Sequence, residues 1–231
     1  MCFDRRPYWN LAAEVTKKDR VLICGTGPSL ECLADPSLVA ALEKNFSILA
    51  INTAHHYFKN IEVLFIGPHC CYSRDAKPSH FEGKNIKFYL SGDNLARVPA
   101  TFIRVVVDIR GDLLAPALTT DITMPLAHGP TTMLDLAIPA ALFCGVKRIF
   151  LLGAEYSTKG GHHKHFSADA GYRASGEAHG FVGEMAKAQA KWKLWGEHCA
   201  KNGVTIHNFS LNSELDFPKL DIQKERLSWK P

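Results

Sequence analysis

The sequence predicts an α/β fold, a Rossmann-like, doubly wound and mainly parallel sheet in a single domain with a long lid-like loop at about 158–180. Three observations predict it. Seven short runs, at 20–24, 47–52, 62–66, 86–90, 103–107, 148–153 and 204–208, are nearly continuous in apolar residues, as strands buried on both faces are. Helical segments fall between several of them, at 29–44, 131–144 and 183–202, the alternation that builds parallel sheets. The first strand breaks at once into Gly25-Thr26-Gly27 before a helix opens, as in α/β proteins that hold a phosphate.

Each helix carries its own signals. The first, 29–44, is interrupted by Asp35-Pro36, and the second, 131–144, leads into Gly145 as a C-cap. In the third, Met185, Ala188, Trp192, Trp195 and Cys199 recur at three- and four-residue intervals before Gly203 closes the pattern. That spacing makes one apolar stripe, and it reads the tryptophans as packing onto the sheet. Two regions have no period: 113–128, rich in Ala, Pro and Thr, and 158–180, rich in Gly and His. Loops of that length are functional lids or disordered segments. Both precede helices, which puts them near the carboxyl edge of the sheet, where such folds place ligands.

Composition narrows the function. The 231 residues are 46% hydrophobic and 22% charged, the range of an ordinary globular domain, and the length favours one domain. A net charge of +4 without runs of Lys or Arg argues against a nucleic-acid partner and leaves anionic small molecules compatible. The seven cysteines, at 2, 24, 32, 70, 71, 144 and 199, are odd in number and include no CxxC pair. They read as reduced thiols of a cytoplasmic protein, not as a disulfide framework or a zinc site. No apolar run approaches the ~18 residues of a membrane span, and the start, MCFDRRPYW, lacks a signal-peptide core.

Four segments carry candidate chemistry. In Gly25-Thr26-Gly27-Pro28-Ser29 the glycines permit a tight turn and close approach to a ligand, and Pro28 and Ser29 suit first helical positions with outward N–H groups. Leu30 stands where GxGxxG needs its third glycine and no GK[ST] follows, so the loop also reads as a plain strand-to-helix turn. Asn52, ending the second strand, either meets the base and ribose of a nucleotide or forms a turn. The adjacent His55 and His56 point in different directions and are not read as a metal pair. Thr131 and Thr132, after Gly129, offer hydroxyls and amides to an anion at a helix start, and Asp135 one turn later suits the helix dipole. The sixth strand ends in Gly153-Ala154-Glu155-Tyr156-Ser157, where Glu155 either binds substrate or satisfies backbone amides. The loop at 158–180 holds His162, His163, Lys164, His165, Tyr172, Arg173 and His179. A lid that brings cations onto a phosphate, with one histidine as general base, explains that composition; as a metal site it is a weak match, and no metal ligands are assigned.

In their order these segments resemble the 6-hydroxymethylpterin diphosphokinase-like domain family. Its G-x-G-P-S-L loop matches 25–30, its block ending in L-x-G-x-D matches 137–155, and its HF matches His165-Phe166. A C-terminal signature matches Gly203, Ile206, Asn208, Ser213, Leu215, Phe217 and Pro218. The same skeleton is similar to the family 42 bacterial sialyltransferases, which use CMP-sialic acid. That resemblance implies Thr26, Gly27, Pro28, Ser29 and Asn52 for the CMP part, and Thr131 and Thr132 for the family's hydroxyl pair. It also implies Gly153 and Glu155 at the strand end, Tyr156 or Ser157 and the 163–165 region at the phosphate, and a general base near His179. Glu155 replaces the family's Asp, and Gly67-Pro68-His69 lacks its Asn-Pro.

The resulting expectation is a nucleotide-dependent transferase, a glycosyltransferase with a CMP-activated or similar nucleotide-sugar donor and a hydroxyl acceptor. His179 or else His165 would deprotonate the acceptor, Glu155 would share in the catalytic centre, and Lys164, Tyr156 or Arg173 would stabilise the leaving phosphate. This reading requires no cofactor. The alternatives are a pyrophosphokinase using ATP and Mg²⁺, with Glu155 and Asp135 or Asp169 at the metal, and a non-catalytic nucleotide-binding protein. Exposed aromatics near Tyr57-Phe58 and Phe81 would permit a homo-oligomer interface.

Overall fold

All seven apolar runs become strands of one parallel sheet. The structure is a computed structural model that describes residues 6–66, 77–92, 98–105, 107–108, 118, 120–124, 126–127, 131–156 and 178–229, with the backbone alone at 107–108, 127 and 178–185. In chain order the strands are β1 (Val21–Cys24), β2 (Ser47–Ile51), β3 (Asn60–Phe65), β4 (Asn85–Ser91) and β5 (Thr101–Arg104). A short separate pair, β6 (Val107–Asp108) and β7 (Leu126–Ala127), precedes β8 (Arg148–Leu152) and β9 (Thr205–Asn208). The sheet order is β5-β4-β3-β2-β1-β8-β9. The run expected at 103–107 therefore splits: its first part pairs with β4, and Val107 leaves for the second ladder.

The continuous apolar pattern follows from two covered faces. Val21, Ile23, Leu49, Ile51, Ile149 and Leu151 enter one core. Their alternate neighbours Leu22, Cys24, Ile48, Ala50, Phe150 and Leu152 enter the other, because successive side chains leave a strand on opposite sides. The first core is closed by α1 (Arg6–Val15), by α3 (Ile138–Phe143) and by α4 (Ala178–Lys201). The second lies under α2 (Pro36–Asn45) and α5 (Ile222–Arg226). On α4 the stripe Ala188, Trp192, Trp195 and Cys199 is buried against the sheet, the packing its spacing predicts.

Three helix boundaries differ from the sequence expectation. Asp35-Pro36 is a full break: 28–34 winds as a 3₁₀-helix, and α2 starts anew with Asp35 as N-cap, its side chain accepting from Ser37 N. The helix expected at 131–144 opens as one π turn, Met133–Ala137, before becoming α3, and Gly145 (φ +79°) caps it. The late helix begins at Ala178 and not at 183. His179 thus belongs to the first turn of α4 and not to the preceding loop.

The strand order locates the crevice. From β1 the chain steps outward to β5, then returns so that β8 pairs with the other side of β1. Connections leave β1 and β8 in opposite senses, and the gap this opens beyond their carboxyl ends is where open α/β sheets take ligands.

Candidate functional site

Cys24 and Leu152 are partners in the β1–β8 ladder, so the two loops that follow leave the sheet side by side. They then bond to each other. Gly25 N donates to Leu152 O (2.8 Å) and Gly27 N to Gly153 O (3.0 Å). The approach leaves no room for a side chain. A Cβ on Gly25 would stand 2.4 Å from Gly153 O, and one on Gly153 would stand 2.9 Å from Gly25 C and O. Gly153 also has φ +70°, which only glycine adopts without strain. In this structure the glycines of the loop serve loop-to-loop contact, the close backbone approach that the plain strand-to-helix turn, one of the two sequence readings, requires.

The helix start is likewise occupied. Ser29 N donates to Glu155 Oε1 (2.8 Å), so the outward amide expected here is already taken by a carboxylate. Gly153 N donates to Ser29 Oγ (2.9 Å), Ala154 N donates to Ser210 Oγ (3.0 Å), and the two hydroxyls share a further hydrogen bond of 2.8 Å. Ser210 N donates to Asn208 Oδ1, and Ser213 Oγ donates to Ala154 O. Asn208, Ser210 and Ser213 are all buried. This C-terminal clamp binds 153–155 to Ser29. Ser210 was missed by sequence reasoning, although Asn208 and Ser213 around it belong to the C-terminal signature.

Glu155 therefore satisfies a backbone amide, one of its two expected roles, with one oxygen only. Oε2 is buried and no donor among the described residues reaches it. Its negative charge adds to burial in pushing the nearby Cys32 thiol up to about 11, so Cys32 stays a neutral thiol.

The next residue turns the chain into a second cluster. Tyr156 has φ +47° and is buried, a left-handed conformation rare outside glycine and concentrated at functional sites. Its hydroxyl lies 2.8 Å from Thr131 Oγ1, and its ring meets Trp192 edge-on at 5.6 Å. Gln189 Nε2 donates to Tyr156 O (2.7 Å). Burial raises the phenol well above its ordinary range, which keeps it a hydrogen-bond donor at any physiological pH. Thr132 has helical backbone angles and makes no side-chain cap. Beneath this pair Asp135 accepts from Lys191 Nζ at 3.2 Å, both side chains nearly buried. Its carboxylate serves a tertiary ion pair, in addition to any local dipole effect, and Lys191 carries no sequence signal of that role.

Asn52, expected at the end of the second strand, instead opens a 3₁₀ turn (Asn52–Tyr57) directly after β2 with φ +49°, at the same sheet edge as the glycine loop. Its carbonyl lies 2.7 Å from Nδ1 of His55. His55 is buried, stacked on Phe81, and lowered to about 3 by its burial. It is a neutral core imidazole. Phe58 and Phe81 are themselves buried in the second core and not exposed for an interface as expected, because they pack under the sheet. Thr26 and Pro28 lie within the loop itself, while Ser157, Lys164 and His165, with His162, His163, Tyr172 and Arg173, lie outside the described residues. Of His179 only the backbone is described. Among the described residues no group of three or more His, Cys, Asp or Glu could hold a metal ion, and no helix is long and apolar enough to cross a membrane.

No protein-family model and no curated protein matches the sequence. Among solved structures the chain is similar to the MAf glycosyltransferase from Magnetospirillum magneticum AMB-1, with a TM-score of 0.58 at 14% identity over 98% of this chain. Its fold is glycosyltransferase-like. The chain spans 42% of that protein's length. Two further structures are a sialyltransferase CST-II in complex with CMP (TM-score 0.49, 13% identity, 87% of this chain and 85% of that one) and the monofunctional alpha-2,3-sialyltransferase Cst-I from Campylobacter jejuni (0.49, 12%, 87% and 80%). At 14% identity the likeness to the first of these concerns the fold alone.

Proposed function

We propose that this chain is a nucleotide-dependent glycosyltransferase whose donor is a CMP-activated or similar nucleotide sugar, bound in the crevice beyond β1 and β8. One observation carries the reading. At the switch point of a glycosyltransferase-like fold, the glycine loop, the 153–156 turn and the Thr131 helix start form one hydrogen-bonded unit. Two left-handed non-glycine residues, Asn52 and Tyr156, stand at that edge; asparagine tolerates that region, while at a tyrosine the strain costs about 1–3 kcal/mol and is of the kind that clusters at functional sites.

In this reading the Thr131–Tyr156 hydroxyl pair, one proton of which is held in their mutual hydrogen bond, donates the other to the donor's phosphate, and Asn52 meets its base or ribose. The acceptor oxygen attacks the anomeric carbon, the bond to the phosphate oxygen breaks, and the acceptor's proton passes to a histidine, His179 or else His165. Lys164 and Ser157 serve the leaving phosphate, which departs with the nucleotide. The resemblance to the diphosphokinase-like family supports a rival, transfer of diphosphate from ATP with Mg²⁺. A thermal-shift series separates them: CMP or CDP stabilising the protein without metal supports the glycosyltransferase. Stabilisation by ATP with Mg²⁺ alone supports the pyrophosphokinase. No shift with any nucleotide leaves a fold that has lost the chemistry.

A further inference from the structure

The positive charge of this chain is gathered at one end of the sheet. Because the strands are parallel, the turns that enter them before Val21, Ser47, Asn60, Asn85, Arg148 and Thr205 share the amino edge, opposite the crevice. Basic residues recur at each of these turns, and the acids beside them are outnumbered. Glu14 faces both Lys17 and Lys87, and Asp19 faces both Arg20 and Arg148. Glu62 is buried beside Lys18. Glu43 accepts from Lys59 N, Asn60 N and Asn60 Nδ2, and Glu82 is exposed. Lys84, half-buried, donates to His56 O and Phe58 O. Lys44, Lys59, Lys147 and Lys201 are exposed and form no ion pair among the described residues. The whole chain carries only +4, an excess that this edge accounts for in full.

The form of the edge selects the partner. Its turns are short: Phe46 alone joins α2 to β2, 144–147 join α3 to β8, and 202–204 join α4 to β9. The four unpaired lysines stand at β2, β3, β8 and β9, spread over five neighbouring strands, or about 19 Å at the spacing of hydrogen-bonded strands. That is a flat, broad array of charge. A protein partner's interface needs an apolar centre, and the large apolar side chains that are exposed, Trp9, Met124, Leu194, Leu211 and Leu227, belong to other segments. A layer of anionic lipid headgroups needs charge alone. We propose that the amino edge docks on an anionic membrane surface. The contact is electrostatic, and it leaves the crevice at the carboxyl edge facing solution. Docking of this kind is independent of the nucleotide reading above. No run of Lys or Arg announces it in the sequence, because parallel strands bring the basic residues together from separate turns.

The test is co-sedimentation of the full chain with phosphatidylcholine vesicles, with and without one-third phosphatidylserine, at low and high salt. The expected result is binding to the phosphatidylserine vesicles alone at about 0.1 M salt, lost at about 0.5 M, where screening shortens the reach of a charge to about 4 Å. Each lysine near such a surface contributes about fivefold to partitioning, so Lys147→Gln with Lys201→Gln, and separately Lys44→Gln with Lys59→Gln, each lower it by about 25-fold. The control is Lys193→Gln with Lys219→Gln, which makes the same charge change at exposed lysines on α4 and beside Asn208 at the carboxyl end of β9; it stays within about threefold of the parent. All six lysines are exposed, and melting curves within a few degrees of the parent certify the folds. Failure of the unaltered protein to sediment with phosphatidylserine vesicles at low salt overturns the inference, as does a control that loses as much as the two edge variants. Retention on polyglutamate or duplex DNA without vesicle binding also overturns it, and assigns the edge to an acidic protein or a nucleic acid instead.

Discussion

Replacing Gly153 by alanine tests whether the β1 and β8 loops are one unit. The residue sits at φ +70°, and a Cβ there would stand 2.9 Å from Gly25 C and O and 3.1 Å from Gly27 N. Two costs follow. Holding alanine in the left-handed region costs about 1–2 kcal/mol. The contacts are with backbone, which cannot turn aside as a flexible side chain would, and overpacking of this kind adds about 1–3 kcal/mol. The sum, about 2–5 kcal/mol, corresponds to a fall in Tm of about 4–20 °C for a chain of this size. Gly145 and Gly203 supply the control, since both have positive φ (+79° and +67°) and nothing within 4 Å of a built Cβ. Gly145→Ala and Gly203→Ala therefore carry the conformational cost alone. Differential scanning calorimetry on the three variants isolates the steric part by subtraction. If Gly153→Ala melts no lower than the two controls, the loops do not meet as described.

Three further outcomes are expected. Asp135→Ala strands Lys191 in a nearly buried position and lowers stability by about 3–5 kcal/mol in urea titration, while Asp135→Leu combined with Lys191→Met restores most of it; equal losses in both would remove the ion pair as the cause. His55, lowered from 6.5 to about 3 by burial, binds its proton more readily unfolded than folded. Its contribution is complete above pH 6.5 and is lost toward about 3 at a slope of about 1.4 kcal/mol per pH unit, and His55→Phe flattens that part of the stability profile. His179→Ala keeps nucleotide binding by calorimetry and loses sugar transfer by about 100-fold or more; full turnover would take that histidine out of the base's role.

Much of the architecture was legible because burial leaves a direct trace in residue order. A strand covered on both faces is apolar at nearly every position, and Val21–Cys24, Ile48–Ile51 and Ile149–Leu152 are buried apolar runs on neighbouring strands in register. The stripe from Ala188 to Cys199 was legible for the same reason at helical period. Site chemistry was legible only by residue type. Gly25, Gly27, Ser29, Thr131, Gly153, Glu155 and Tyr156 were all named, and the structure gathers them at one crevice. Their partners were not. Asp135 read as a local dipole effect, while its ion-pair partner Lys191 lies 56 residues on. Ser210, which bonds Ser29 across 181 residues, had no pattern of its own.

The order of residues by itself determined the alternating elements, the glycine turn after β1 and the types of side chain available at the carboxyl edge, because propensity and burial act on each segment locally. Only the tertiary structure decided what those side chains face. The return of β8 to the flank of β1 sets two loops against each other that are more than a hundred residues apart in the chain. That adjacency turns an open glycine loop with free amides into one already holding a carboxylate.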